Sequence, residues 1–287
     1  MTRPVRRLRL TLLAALVVIL ALPMSIASAA PAPAQQTHHP KPTIVLLHGA
    51  WADSSSWSEV VRRLQDDGYP VVVPPNPLRG LVSDAAYLAS FLATIDGPIV
   101  LVGHSYGGAV ITNAATGDTD VKALVYVNAF VPDQGETVLR LVAAQPGSAL
   151  AVQDPTTVFT LVPYPGGPTG DVDAYIKQSV FPDAFAGDLP RRTARVLAAT
   201  QRPAALSAFA TPSGAPAWAS IPSWDVVGTA DKVIPPAEQL IMANRAHARV
   251  TRVDAGHLSM ISRPGTVADV IRAAARATTA VQERKHS

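Results

Sequence analysis

Cysteine is absent from this chain of 287 residues. The protein therefore forms no disulfide, has no thiolate nucleophile and offers no cysteine ligand to zinc or to an iron–sulfur cluster. An excess of positive charge is absent as well once residues 1–29 are set aside. The formal net charge is +3, but residues 1–29 contribute four arginines and no acidic residue, which leaves −1 for the remainder. Because no basic stripe interleaved with aromatic residues follows, nucleic-acid binding has no electrostatic support.

The N-terminal apolar run is too short to span a membrane. It covers residues 10–22, apolar but for one threonine, and ends at Pro23, whereas a spanning helix needs about 20 apolar residues. Four arginines precede this run, and an Ala-Ser-Ala sequence follows it at 27–29. A charged segment, an apolar segment and small residues at a cleavage site, in this order, are typical of a secretory signal. We predict that residues 1–29 are cleaved and that the mature protein is secreted or periplasmic, without membrane attachment. The alternatives are an uncleaved anchor and, through Arg6-Arg7, twin-arginine export.

A proline-rich segment separates the predicted signal from the rest of the chain. Residues 30–42, APAPAQQTHHPKP, contain no large apolar side chain. This composition predicts an extended tether. We interpret His38 and His39 as solvated linker residues, with metal binding by the pair as the alternative.

From Thr43 onwards, short apolar runs rich in β-branched residues alternate with segments of helical periodicity. Strands are predicted at 43–47, 69–73, 98–102, 121–127, 220–227 and 249–253, and helical patterns at 57–64, 83–95, 236–247 and 264–278. Strands that are apolar along their whole length are typical of parallel sheets covered on both faces. Repeated βα units of this kind predict an α/β fold with a doubly wound, mostly parallel sheet, formed by residues 43–134 and 216–287.

Residues 135–215 interrupt this alternation. Helical patterns at Thr137–Ala144, Asp171–Gln178 and Leu189–Thr200 are separated by connections rich in proline and glycine. The segment is too long for a loop, so we predict a helical cap inserted between strands, which shapes a pocket over the sheet edge. The alternative is a set of surface helices with no role as a lid.

A serine lies between the predicted strand at 98–102 and a helical pattern. Residues 103–107, Gly-His-Ser-Tyr-Gly, match the G-x-S-x-G nucleophile elbow, in which a sharp turn lifts the serine hydroxyl clear of the sheet. Ser105 is therefore the candidate nucleophile. The pattern fixes only three residues, so a base and an acid elsewhere in the chain must support it.

A serine hydroxyl needs a base, and that base needs a third group to orient it. Of the seven histidines, two lie in the tether, one in the C-terminal tail and one near the end of a helix; these are His38, His39, His286 and His247. His104 adjoins the serine and points elsewhere, and His48 is expected to organise the first turn. His257, just past the last strand, is therefore the candidate base.

The orienting acid is expected at the same sheet edge, where the carboxyl ends of parallel strands meet. Asp231 follows the penultimate strand and gives the chain order Ser, Asp, His. Asp133, beside a proline at the cap entrance, is the rival acid. Asp254 is interpreted as a strand end, Glu238 as helix surface and Asp225 as part of a strand.

Four motifs carry a family resemblance. They are Leu47-His48-Gly49-Ala50-Trp51, residues 103–108 (GHSYGG), residues 229–235 (TADKVIP) and Gly256-His257. Together they resemble the α/β-hydrolase family, in particular the branch of plant methyl-ester esterases and hydroxynitrile lyases. The resemblance implies a sheet of about six strands with an inserted cap. It also implies an oxyanion hole formed by the backbone N–H groups of Ala50 and Tyr106, and catalysis without a metal or organic cofactor.

Two positions separate the esterases of this branch from its lyases. The lyases carry a lysine directly after the catalytic histidine and a threonine in the first turn, whereas this chain has Leu258 and Gly49 there. The resemblance therefore favours a serine esterase that acts on a small-molecule ester, and the N-terminal signal predicts that this esterase is exported. The same triad also suits cofactor-free perhydrolase or haloperoxidase chemistry and carbon–carbon bond hydrolysis, and the fold suits a non-catalytic small-molecule receptor.

Overall fold

The computed structural model describes residues 41–163 and 167–286, with side chains as far as residue 278. The predicted signal, residues 1–29, and residues 30–40 of the predicted tether lie outside the described part of the chain. Within the described part, no helix combines the length and the apolar character that crossing a membrane requires.

The described residues form nine strands and ten α-helices. The strands are β1 (Thr43–Leu47), β2 (Val71–Val72), β3 (Ile99–His104), β4 (Val121–Val127), β5 (Phe159–Pro163), β6 (Val172–Ile176), β7 (Ala204–Ala205), β8 (Ser223–Gly228) and β9 (Arg249–Val253). The helices are α1 (Ser58–Asp66), α2 (Leu81–Leu92), α3 (Tyr106–Ala114), α4 (Val138–Val142), α5 (Phe181–Ala184), α6 (Arg191–Thr200), α7 (Leu206–Ala210), α8 (Pro236–Arg245), α9 (Ser259–Ser262) and α10 (Pro264–His286).

The core of the fold is a six-stranded parallel sheet with the strand order β2-β1-β3-β4-β8-β9. Every residue of β3 and of β8 is buried. Since neighbouring side chains of a strand point to opposite faces, both faces of the sheet are covered. Helix α2 packs against α3, and α1 packs against α10. The predicted α/β class, with a mostly parallel sheet of about six strands, is confirmed.

The sheet positions the candidate residues at one edge. Strand β4 lies between β3 and β8, and β9 pairs with β8 up to the last residue of each, Gly228 beside Val253. Because all these strands are parallel, the loops that follow β3, β8 and β9 emerge on the same side. Ser105, Asp231 and His257 are carried by these three loops.

Several predicted elements have different bounds in the structure. The strand predicted at 69–73 is reduced to β2, because Pro70 and Pro74 have no N–H with which to extend the ladder. The helix predicted at 83–95 begins earlier, at Leu81, and the closing helix continues past residue 278 to His286.

The segment between β4 and β8 contains strands as well as helices. Helices predicted at Thr137–Ala144 and Leu189–Thr200 are present in shortened form as α4 and α6. The helix predicted at Asp171–Gln178 is wrong, because those residues contain β6, the centre of an antiparallel sheet with the order β5-β6-β7. Phe159 to Pro163 pair with Ile176 to Val172. A helix of only eight residues would have little stability of its own. In the antiparallel sheet, by contrast, the backbone N–H and C=O groups of β6 are paired with those of neighbouring strands.

Candidate active site

Ser105 lies at the sharp turn between β3 and α3. Its backbone has φ of +53° and ψ of −125°, and the residue is 2% exposed. A positive φ is strained for a residue with a side chain, and such strain is characteristic of functional turns. The turn needs a glycine before it, since a Cβ on Gly103 would lie 2.6 Å from the carbonyl oxygen of Gly107.

Asp231 and His257 are in direct contact. His257 Nδ1 lies 2.9 Å from Asp231 Oδ2, and both side chains are fully buried. His257 Nε2 is also buried and has no hydrogen-bond partner in the described chain. The carboxylate fixes the tautomer in which Nδ1 carries the proton, so Nε2 is the nitrogen left to accept one.

The serine turn and the histidine loop are joined by His104. Its Nε2 donates a hydrogen bond to the carbonyl oxygen of His257 over 3.0 Å, and the two rings lie 4.7 Å apart between centroids. Burial, and then the neighbouring His257, lower the pKa of His104 well below its ordinary value. A neutral His104 thus supports the loop that carries the candidate base. This agrees with the prediction that His104 is not itself the base.

The carboxylate of Asp231 is saturated with donors. Its oxygens accept five hydrogen bonds, from the backbone N–H groups of Val233 and Ile234 and from the side chains of Asn128, Gln239 and His257. An ionised carboxylate is an acceptor only, so this set of donors suits the charged form. The same bonds hold the carboxylate in one orientation towards His257.

The rival acids lie away from this pair. The backbone N–H of Asp133 donates to Glu136, and its carboxylate accepts from the N–H of Gln134 over 2.7 Å. Asp254 is exposed, and Asp225 lies within β8 as predicted. Glu238 is on α8, but the expectation that it lies on the surface is wrong, because it is buried.

Two residues of the acid's environment were not predicted. Asn128 directly follows β4 with φ of +45°. Its Nδ2 donates to Asp231 and to the carbonyl oxygen of Gly256, and its Oδ1 accepts from the hydroxyl of Ser259. Gln239, on α8, donates to Asp231 over 2.8 Å. The available signal was an asparagine at a strand end, since asparagine tolerates positive φ better than most residues.

His48 organises the first turn. Asn76 N–H donates to His48 Nε2 over 3.0 Å, and Nδ1 donates to the carbonyl oxygen of Gly49 over 2.8 Å. Burial lowers the pKa of His48 to about 4. The neutral ring therefore uses both nitrogens to hold backbone, in agreement with the sequence interpretation.

Ala50 and Tyr106 lie beside Ser105 at the wall of one cavity. Neither backbone N–H donates to an acceptor within residues 41–163 and 167–286. Tyr106 is the first residue of α3, where the N–H groups have no partner inside the helix and the dipole favours negative charge. The Tyr106 hydroxyl donates to Asp84 over 2.8 Å, so this buried side chain is anchored at the cavity wall.

The cavity measures about 840 Å³ and extends from Ser105 under the cap. Its wall is mainly apolar, and three aromatic rings on it pack together: Trp51 lies 5.5 Å from Phe159 and 5.4 Å from Phe209 between centroids. Helix α4 contributes Val138 and Val142. Within the described chain, no group of three or more His, Cys, Asp or Glu side chains is arranged to hold a metal ion.

A parallel sheet with a serine on the strand-to-helix turn, and with an acid and a histidine after its last two strands, defines the class of α/β hydrolases. The chain belongs to the alpha/beta hydrolase family, whose model matches residues 44–270. The predicted family is confirmed.

Two proteins that this chain resembles are named as an esterase and a hydrolase. The chain is 32% identical, over 110 residues, to a carbendazim hydrolyzing esterase of Nocardioides sp. strain SG-4G. That match spans 34% of this chain and 46%, less than half, of the relative. A pyrethroid hydrolase from Sphingobium faniae JZ-2 has 25% identity and a TM-score of 0.66, with 82% of this chain and 98% of the other covered.

Polyneuridine aldehyde esterase superposes with a TM-score of 0.68 at 19% identity, covering 81% of this chain and 98% of the other. At this identity the likeness concerns the fold.

Proposed function

We propose that this hydrolase is a serine esterase with Ser105 as nucleophile, His257 as general base and Asp231 as the orienting acid. The observation that carries the proposal is the buried contact of 2.9 Å between His257 and Asp231, which leaves Nε2 without a partner in the described chain. The esterase and hydrolase names of the relatives support the same class of reaction.

In the first half of the reaction, His257 Nε2 takes the proton of Ser105 Oγ as that oxygen attacks the ester carbonyl. The carbonyl oxygen becomes negative and is held by the N–H groups of Ala50 and Tyr106. When the tetrahedral intermediate collapses, the bond to the alcohol oxygen breaks and His257 gives its proton to that oxygen. The acyl group remains on Ser105.

In the second half, water replaces the alcohol. His257 takes a proton from the water molecule, whose oxygen attacks the acyl carbon, and the same two N–H groups hold the second oxyanion. Collapse returns the proton to Ser105 Oγ and releases the carboxylic acid. Asp231 stays ionised throughout and stabilises the imidazolium that forms in each half.

The cavity favours esters with a bulky apolar group. Its volume of about 840 Å³ is sufficient for a drug-sized ligand. The wall beside Ser105 includes the ring of Trp51, which stacks on Phe159 and packs at a tilt against Phe209. We therefore expect esters with an aromatic or long alkyl group to be preferred over acetates.

Two positions support hydrolysis over lyase chemistry. Leu258, directly after His257, is buried and supplies no cation for a departing anion. A Cβ on Gly49 would lie 2.6 Å from the Cβ of Ser105, so this backbone has no room for the threonine found in the lyases of the resembling branch.

The acid assignment is tested by comparing Asp231→Asn with Asp133→Asn. We expect kcat for a p-nitrophenyl ester to fall by about 10³–10⁴-fold in Asp231→Asn, because the wrong tautomer of the histidine is then favoured. Asp133→Asn is the matched control and should keep kcat within about twofold. A large loss in the control alone would transfer the role to Asp133.

We also propose that the protein is exported and cleaved after residue 29. The arginine-rich start, the apolar run at 10–22 and the Ala-Ser-Ala sequence support this. Expression of the full chain in a bacterial host, followed by N-terminal sequencing of the periplasmic or secreted fraction, should give Ala30 as the first residue. A product that begins at Met1 and pellets with membranes would contradict it.

A further inference from the structure

Asp188, in the turn after α5, is half-buried, and its carboxylate has no hydrogen-bond partner in the described part of the chain. Both of its oxygens are inaccessible to solvent, and no donor or cation within the described chain pairs with them. By comparison Asp183, five residues earlier, is exposed and pairs with Arg191 over 2.8 Å.

The carboxylate of Asp188 is pressed against the loop that carries His257. A Cβ on Gly256 would lie 2.6 Å from Asp188 Oδ1 and 3.1 Å from its Cγ, so a larger residue at this position would displace the carboxylate. The ring of Phe185 lies 4.9 Å from the imidazole of His257, edge to face. Residues 185–188 of the cap thus pack directly on the catalytic loop.

Unpaired donors lie in the same loop. The backbone N–H groups of Gly256 and His257 donate to no acceptor in the part of the chain that the structure describes. An unpaired anionic acceptor therefore adjoins the segment that contains two unpaired donors. A hydrogen bond between a carboxylate and a backbone N–H is charge-assisted and stronger than a neutral one.

We propose that Asp188 is a positioning residue for His257. When the cap settles on a bound substrate, its carboxylate accepts the N–H of Gly256 or His257 and fixes the loop. Its charge also stabilises the imidazolium that forms when the proton moves from Ser105 Oγ to His257 Nε2. The titratable side chains that contact this imidazole in the described chain are Asp231 and His104, and Asp188 lies against the preceding residue, Gly256. The inference rests on the proposed esterase function.

The test is Asp188→Asn in the mature enzyme, assayed with p-nitrophenyl butyrate from pH 5 to pH 9. We expect kcat to fall about tenfold, as for the loss of one charge-assisted hydrogen bond, with KM within about twofold. The acid limb of the kcat/KM profile should move to lower pH, because the protonated imidazole loses a neighbouring negative charge. Asp183→Asn is the control and should leave kcat and the profile unchanged.

A second variant changes the contact between Asp188 and Gly256 at the glycine instead of the aspartate. Gly256→Ala should displace the carboxylate and reproduce both the loss of kcat and the movement of the acid limb. The inference is overturned if Asp188→Asn keeps the wild-type kcat and profile, or if it lowers the melting temperature and the activity while the acid limb stays in place. Activity that survives in Ser105→Ala would instead contradict the proposed function itself.

Discussion

Asp225 places a carboxylic acid within β8, a strand whose residues are all buried. Neither of its oxygens has a donor among the described residues, and its neighbour across the sheet is Tyr126 of β4. Burial raises the pKa of Asp225 well above its ordinary value. In the unfolded chain the same carboxyl ionises at about pH 3.9. The unfolded chain therefore releases this proton first as the pH rises, and Asp225 destabilises the fold increasingly above about pH 4.

The substitution Asp225→Asn removes this ionisation and keeps the shape of the side chain. We expect a melting temperature about 5 °C above that of the wild type at pH 8. The difference should shrink as the pH falls towards 4, where the unfolded wild-type carboxyl is protonated as well. Thermal unfolding of the wild type and the variant between pH 4 and pH 8 measures the difference in melting temperature and its dependence on pH. A difference that is constant with pH, or a less stable variant at pH 8, would contradict the assignment.

At the scale of single residues, the candidate site residues that directly follow strands could be predicted from the sequence. Asp231 and His257 were predicted from their places after the last two strands, and the structure joins them. Asn128 and Asp188 were not predicted, since their roles depend on loops that meet from distant parts of the chain. Asn128 contacts Asp231, 103 residues away, and no local pattern specifies such a contact.

At the scale of elements, the core was predictable and the cap only in part. Strands such as β3 are apolar along their whole length, so their type and their parallel pairing follow from the local sequence. Strand β6 has a weaker signal, because Val172 and Ile176 are four residues apart, and this spacing places them on one face of either a helix or a strand. Its pairing with β5 decided the outcome, and β5 itself was not predicted because its residues carry no clear alternation.

Helix α4 offers a test of the cap as a wall of the substrate cavity. Val142 lines the cavity, so Val142→Phe should narrow it. We expect kcat/KM for p-nitrophenyl octanoate to fall about tenfold, with that for p-nitrophenyl acetate within about twofold. The control is Val196→Phe on α6, where the wild-type side chain is 57% exposed. An equal loss for both esters in Val142→Phe would mean that this part of the cavity does not hold the acyl chain.

At the scale of the whole molecule, the cap is tied to the core close to the candidate site. Arg79 pairs with Asp173 of β6 over 2.6 Å, and Trp51 Nε1 donates to the carbonyl oxygen of Ala174 over 2.8 Å. At the start of the cap segment, Glu136 pairs with Arg245 of the core helix α8 over 2.7 Å. Trp51, which directly follows the proposed oxyanion donor Ala50, is thus held by the cap. The same contacts between cap and core therefore shape both the cavity and the proposed oxyanion hole.

The central claim is that the sheet edge assembles Ser105, His257 and Asp231 into one nucleophilic site. The most direct measurement is labelling of the mature protein with a fluorophosphonate probe, followed by mass spectrometry of the tryptic peptides. We predict one adduct, on Ser105, with no labelling of Ser105→Ala and labelling of His257→Ala slowed by at least about 10³-fold. Labelling of Ser105→Ala at the wild-type rate, or an adduct on another serine, would contradict the claim.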